Sequence, residues 1–217
     1  MTISNALALN CAVALLASMA AGPASAQSRD WLVHIGPAVL SLADKSDIRL
    51  GGTPLAGSGL ESDPQYTAAV EISRFVAPSI AVSLTLGVPP VAKFDGTGSI
   101  EALGRLGSAR YGPAGLTVQW HPMRSGRFQP YIGAGGAYMH FFSTKDGALT
   151  DIELDNDVGP LIQVGAQYFF TDRMGIFVDA KKAWLRTKAT ASFAGLPVEA
   201  DLKMDPVVVN AGLALRF

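Results

Sequence analysis

Val207-Val208-Val209-Asn210-Ala211-Gly212-Leu213-Ala214-Leu215-Arg216-Phe217 is the stretch that decides the fold. Val207, Val209, Ala211, Leu213, Leu215 and Phe217 fall on one side of an extended chain, and Val208, Asn210, Gly212, Ala214 and Arg216 on the other. A period of two belongs to a strand, since helical spacing would mix the two sets. One face is continuously apolar, while the other carries an amide, small residues and a cation.

The same pattern recurs upstream. Ile80, Val82, Leu84, Leu86 and Val88 alternate with Ala81, Ser83, Thr85 and Gly87. Leu116, Val118 and Trp120 oppose Thr117, Gln119 and His121; Ile162, Val164, Ala166, Tyr168 and Phe170 oppose Leu161, Gln163, Gly165, Gln167 and Phe169. Weaker alternation marks four more strands, around Trp31–Gly36, Tyr66–Ser73, Tyr131–Tyr138 and Ile176–Lys181. An all-β fold of eight antiparallel strands is predicted.

The connections say what kind of sheet this is. Three are tight and rich in Pro, Gly, Asp or Ser: Val76-Ala77-Pro78, Pro122 to Gly126, and Thr171-Asp172-Arg173. The other four, at 43–65, 89–111, 143–156 and 187–203, are long and are expected as loops. Short turns at one end and long loops at the other are the pattern of an outer-membrane β-barrel whose short end is periplasmic. Only a closed sheet or a helix can satisfy its backbone in hydrocarbon, and strands of about ten residues suffice to cross. Eight strands leave a narrow interior, filled by side chains or one small ligand. Trp31, Tyr66, Trp120, Tyr138, Tyr168 and Phe217 sit where interfacial aromatic girdles belong.

Composition agrees. Mean hydropathy is positive, yet beyond residue 26 no single long apolar run explains it; the apolar residues are spread over lipid-facing strands. Residues 1–26 have no charged side chain, an apolar run from Ala6 to Ala20, and Ala24-Ser25-Ala26 before Gln27. This is read as a signal peptide cleaved before Gln27, with residues 27–217 as the barrel domain; a retained anchor is the alternative. The sole cysteine, Cys11, lies in that leader. The mature chain is therefore expected to have no disulfide and no thiol chemistry. With three scattered histidines, no metal or other cofactor is expected. A net charge of −1 gives no reason to expect a nucleic-acid partner.

Strand parity collects His34, Glu71, Gln119, Gln163, Asp179, Lys181 and Arg216 on inward faces. Buried charges must pair, because isolated burial is costly. Pairing of Glu71 or Asp179 with Lys181 or Arg216 is expected, without a choice among them. Glu71, His34 and inward-facing Ser83 are an acid, a base and a hydroxyl. No Gly-x-Ser-x-Gly, His-Glu-x-x-His or phosphate-loop string accompanies them, so an enzyme is not expected. Asp151, Glu153, Asp155 and Asp157 alternate in the third long connection, but not at calcium-loop spacing. Lys182 is predicted to point outward, and either snorkels to the interface or is moved by a bulge. The Gly-rich segment 51–60 is expected to be exposed, with Leu55 and Leu60 placed to rim a hydrophobic mouth.

Several strings resemble the OmpW family of outer-membrane proteins. They are Phe128-Gln129-Pro130-Tyr131-Ile132-Gly133-Ala134-Gly135, Gln163-Val164-Gly165-Ala166-Gln167-Tyr168, Gly112-Pro113 leading into Leu116–Trp120, and Asp205-Pro206-Val207 with the closing Gly212–Phe217. The resemblance spans the mature chain. It implies an eight-stranded barrel in the Gram-negative outer membrane, both termini periplasmic, carrying small hydrophobic solutes in from outside and releasing them sideways through its wall. It implies outer-membrane lipids, periplasmic chaperones and the barrel-assembly machinery as partners, with Phe217 as the assembly signal. Where family members have an apolar constriction on the third and seventh strands, the matching positions here are Thr85 and Lys181. A polar plug is expected instead, which leaves a second reading open: a structural or adhesive barrel with a sealed lumen.

Overall fold

The computed structural model describes residues 30–43 and 45–217; the expected leader and its cleavage site lie outside the described residues. Fifteen strands form among them: β1 (Trp31–Ser41), β2 (Lys45–Leu50), β3 (Thr53–Pro54), β4 (Ser58–Glu61), β5 (Gln65–Ala77), β6 (Ile80–Gly87), β7 (Val91–Gly98), β8 (Arg105–Trp120), β9 (Phe128–Asp146), β10 (Thr150–Leu154), β11 (Asp157–Phe169), β12 (Met174–Ala183), β13 (Arg186–Phe193), β14 (Leu196–Lys203) and β15 (Val207–Arg216).

Eight of these make a closed antiparallel barrel. Each of β1, β5, β6, β8, β9, β11, β12 and β15 pairs with the next, and β15 pairs back with β1 through Leu32–Arg216 to Ser41–Val207. No barrel edge is left for another chain to pair with. Trp31 and Phe217 meet at one end, where the Phe217 N–H donates to the Trp31 carbonyl at 2.9 Å. The three tight turns lie at that same end. Around the wall, Val82, Leu84, Leu116, Val118, Ile162, Val164, Ile176 and Val178 are exposed, as are the six girdle aromatics. Trp184 adds a further exposed aromatic towards the opposite end.

The four long connections are not loops. Most of their residues are strands that lengthen the barrel at the end away from the termini. β4 and β7 continue the wall beside β8, and β10, β13, β14, β2 and β3 form a second, five-stranded sheet. Their alternation is reversed relative to the barrel strands, so they lack the lipid-facing pattern. In β14, Val198 and Leu202 are buried while Glu199, Asp201 and Lys203 are exposed; in β2, Ile48 is buried while Asp47 and Arg49 are exposed. Apolar residues face out in the barrel proper and in along this extension, as in a water-soluble sheet. The acidic alternation of 151–157 has the same origin: Asp151 and Glu153 point out of β10, and Ile152 and Leu154 point in. Leu55 and Leu60 also turn inward and line a cavity, so segment 51–60 is not simply an exposed rim.

Lys182 keeps strict alternation, paired with Ile162 and Val207 without a bulge. Its ammonium snorkels to the carbonyl of Asp205.

Candidate functional site

The interior is layered. At the termini end, Leu32, Phe75, Phe169 and Phe177 pack with Ala81 and Ala214 into an apolar floor. The Arg124 guanidinium stacks 3.6 Å from the Phe75 ring centroid and that of Arg216 3.9 Å from Phe169, an arrangement that suits a desolvated cation.

Above this floor, the barrel strands converge seven of the expected lumen residues. Glu71 is fully buried on β5 and accepts from four neighbours besides His34. These are Thr85 Oγ1 at 2.9 Å, Gln119 Nε2 at 2.9 Å, Gln163 Nε2 at 2.8 Å and Lys181 Nζ at 3.1 Å. Lys181 also reaches Asp179 at 2.8 and 3.0 Å. The pairing left open by parity is thus one cation shared by two carboxylates. His34 Nδ1 lies 3.2 Å from Glu71, and its Nε2 lies 2.7 Å from Gln167. Arg216 sits one layer lower and donates to Gln129 at 2.8 Å; Gln167, which donates to Gln129 at 3.1 Å, links it to His34.

The network has further members beyond the expected lumen set. Tyr131 donates to Asp179 at 3.1 Å, Thr117 to Gln163 at 3.2 Å, and His121 Nε2 lies 3.0 Å from Gln119. All three share the inward phase of their neighbours, which is the signal that identifies them. Gly165 makes the packing possible: a Cβ there would come within 2.5 Å of the Tyr131 ring and 2.6 Å of Asp179 Cβ. His34, Glu71 and Asp179 bring potential ligand atoms within 4.8 Å of one another. The Lys181 ammonium already occupies the centre of that negative charge, so the geometry is that of an ion-pair plug. Ser83 bonds to Ser73 at 2.7 Å, on the layer beneath, and makes no dyad with His34.

Two apolar cavities lie above the plug. The lower, about 60 Å³, has Thr85 and Lys181 in its floor and Ala38, Ala69, Leu161 and Val208 in its walls. The upper, about 180 Å³, fills the strand extension and is lined by Ile48, Leu60, Phe94, Leu106, Ile152 and Leu202 among others. Its volume is comparable to the roughly 150 Å³ apolar cavity that takes up benzene.

The wall is interrupted beside the lower cavity. β6 and β8 stop pairing at Leu86–Ala114, and β7 and β8 begin at Val91–Arg110. Between them Gly87–Pro90 faces Tyr111–Pro113, and Pro89, Pro90 and Pro113 have no N–H to give a ladder. One backbone bond crosses, from the Tyr111 N–H to the Pro90 carbonyl at 3.2 Å. Small residues Ala114, Gly115 and Ala137 line the lower cavity inside and an apolar trough outside. There the barrel is only one backbone thick.

A closed eight-stranded barrel with an apolar outer belt, aromatic girdles and a buried polar plug defines an outer-membrane β-barrel protein. The family model described as "OmpW family" matches residues 27–217. The chain belongs to the OmpW family, among the outer-membrane proteins of Gram-negative bacteria. It is 30% identical over 189 residues to the outer membrane protein AlkL of Ectopseudomonas oleovorans, covering 87% of this chain and 82% of that protein. The AlkL structure in lipid bilayers superposes with a TM-score of 0.71 over 91% of this chain and 94% of AlkL. OprG of Pseudomonas aeruginosa shares the fold at a TM-score of 0.81, with 24% identity over 87% of this chain and 95% of OprG. The dibenzothiophene metabolism operon protein PahQ of Pseudomonas aeruginosa is 23% identical over 91% of this chain and 93% of its own length.

Proposed function

We propose that this barrel moves small apolar solutes through the outer membrane, taking them up at its strand extension and releasing them sideways. The termini lie on the periplasmic side and the extension projects outward. The observation that carries the reading is the stacking of two apolar cavities on a sealed polar plug, with the thin, proline-interrupted wall beside the lower one. Straight passage meets buried Glu71, Asp179 and Lys181 together with the aromatic floor; an apolar solute gains nothing there, because it would strip hydrogen bonds from buried charges. The sideways path through the wall at Gly87 and Pro113 runs between mostly apolar side chains, with one backbone hydrogen bond crossing the interruption. The family membership and PahQ's place in a dibenzothiophene metabolism operon support a hydrophobic cargo. No step in this reading breaks or makes a covalent bond.

The plug itself favours the second reading, a sealed structural barrel. Uptake of radiolabelled naphthalene by a strain lacking the barrel, with and without the gene restored, separates the two. Restored uptake that Gly87→Leu reduces is expected, since the Gly87 Cβ position is already 3.4 Å from Pro113 Cγ. Equal uptake with and without the barrel would leave the sealed reading.

A further inference from the structure

The two cavities share no lining residue. Between them, one buried apolar cluster supplies a septum that includes Leu42, Tyr111, Met139, Leu185 and Met204, each less than a tenth exposed. Tyr111 is the largest of these, with no exposed surface. Its hydroxyl donates to Gln65 Oε1 at 2.7 Å, and the Gln65 amide is held in turn by Ser62 Oγ at 2.9 Å. A buried tyrosine hydroxyl needs such a partner, and here the partner stands on β5, not on a neighbour of β8.

We propose that Tyr111, latched to Gln65, is the gate between the two chambers, and sets which solutes pass from the upper to the lower. This rests on the transport reading above. Three features carry it. First, Tyr111 lies at a break in its strand's pairing: the ladder with β9 shifts register between Arg110 and Tyr111, and on the other side its own N–H supplies the one bond across the interruption. Second, its septum neighbours include Met139 and Met204, whose unbranched thioether side chains repack readily around a passing molecule. Third, the latch is a neutral hydroxyl–amide bond. The plug below is held by charge-assisted bonds, which are roughly twice as strong. Of the two barriers, the septum is therefore the one that yields.

The test is initial uptake of naphthalene and of the larger pyrene by cells carrying wild-type protein, Tyr111→Phe, Gln65→Leu or Tyr111→Ala. Heat-modifiable mobility of each variant on gels shows that the barrel is folded. Tyr111→Phe keeps the bulk and loses the latch; naphthalene uptake should rise roughly fivefold, the factor for one neutral hydrogen bond. Gln65→Leu should match it. Tyr111→Ala joins the chambers, and should pass pyrene that the wild type excludes. Folded variants with wild-type rates and the wild-type size limit would overturn the gate while leaving transport intact. A rise with Tyr111→Ala but none with Tyr111→Phe would overturn the latch. Uptake by Tyr111→Ala with none by the wild type would keep the septum as a seal and overturn transport; uptake by neither would overturn both.

Discussion

The Lys181 ammonium on β12 lies 3.1 Å from the Glu71 carboxylate on β5, with β1 and β15 between their strands. Because the same ammonium is 2.8 Å from Asp179, one cation offsets two buried anions. Lys181→Met leaves both carboxylates at close range without it, and breaking a buried ion pair in this way costs about 3–5 kcal/mol. Thermal unfolding in detergent micelles should shift down accordingly. Adding Glu71→Gln to Lys181→Met should recover part of the loss, since one anion is then removed. Single-channel conductance should rise in Lys181→Met if the ammonium seals the lumen; an unchanged record would take Lys181 out of that role.

Gly165→Ala tests how tightly the plug is packed. The new methyl group would collide with the Tyr131 ring and Asp179 Cβ, and overpacking of this kind costs about 1–3 kcal/mol. A lowered melting temperature with an unchanged barrel by far-ultraviolet circular dichroism is expected. Melting at the wild-type temperature would mean that the Tyr131–Asp179 bond is not constrained as described.

The upper cavity can be filled without touching plug or septum. Ala189 is partly buried and lines it. Ala189→Phe should cut apolar uptake several-fold while the protein still folds and inserts. Wild-type uptake from the filled variant would show that solutes do not pass through this chamber.

Phe217 has its side chain about half exposed at the seam where β15 meets β1. Phe217→Ala removes little packing, so refolding into detergent should proceed as in the wild type. Assembly in cells should slow, seen as protease-sensitive protein accumulating in the periplasm. Normal assembly of the variant would dismiss Phe217 as a signal.

Much of this was legible in residue order. Ile80–Val88 and Val207–Phe217 announce a wall with lipid on one side, because apolar residues recur at every second place. Inward parity also placed His34, Glu71, Gln119, Gln163 and Asp179 together, since a closed barrel leaves polar side chains no other interior. Which groups pair was not legible: strands 37 residues or more apart must be brought into register before His34 and Gln167 can meet Glu71 and Gln129. Tyr131 and His121 were on the inward faces but carried no charge to draw attention. The extension was not legible, because in Val198–Lys203 and Ile48–Leu50 the apolar side is the inner one and lacks the lipid-facing signature. The interruption at Gly87–Pro90 showed only as a pair of prolines, which equally suits an ordinary turn.

The reversal of the apolar face above Trp184 has a consequence for how the molecule holds its alignment. A strand slipped by one residue turns every side chain to the wrong side. Below the reversal that slip would push Glu71 or Asp179 into hydrocarbon; above it, the same slip would put Leu202 into water and Lys203 into the cavity. β8 runs through both regions, with Leu116 and Val118 exposed below and Ala109 buried beside exposed Arg110 above, so a misalignment tolerated by one solvent is rejected by the other. The boundary between those solvents is written into the chain as a change of phase, which fixes the depth at which the barrel rides in its membrane.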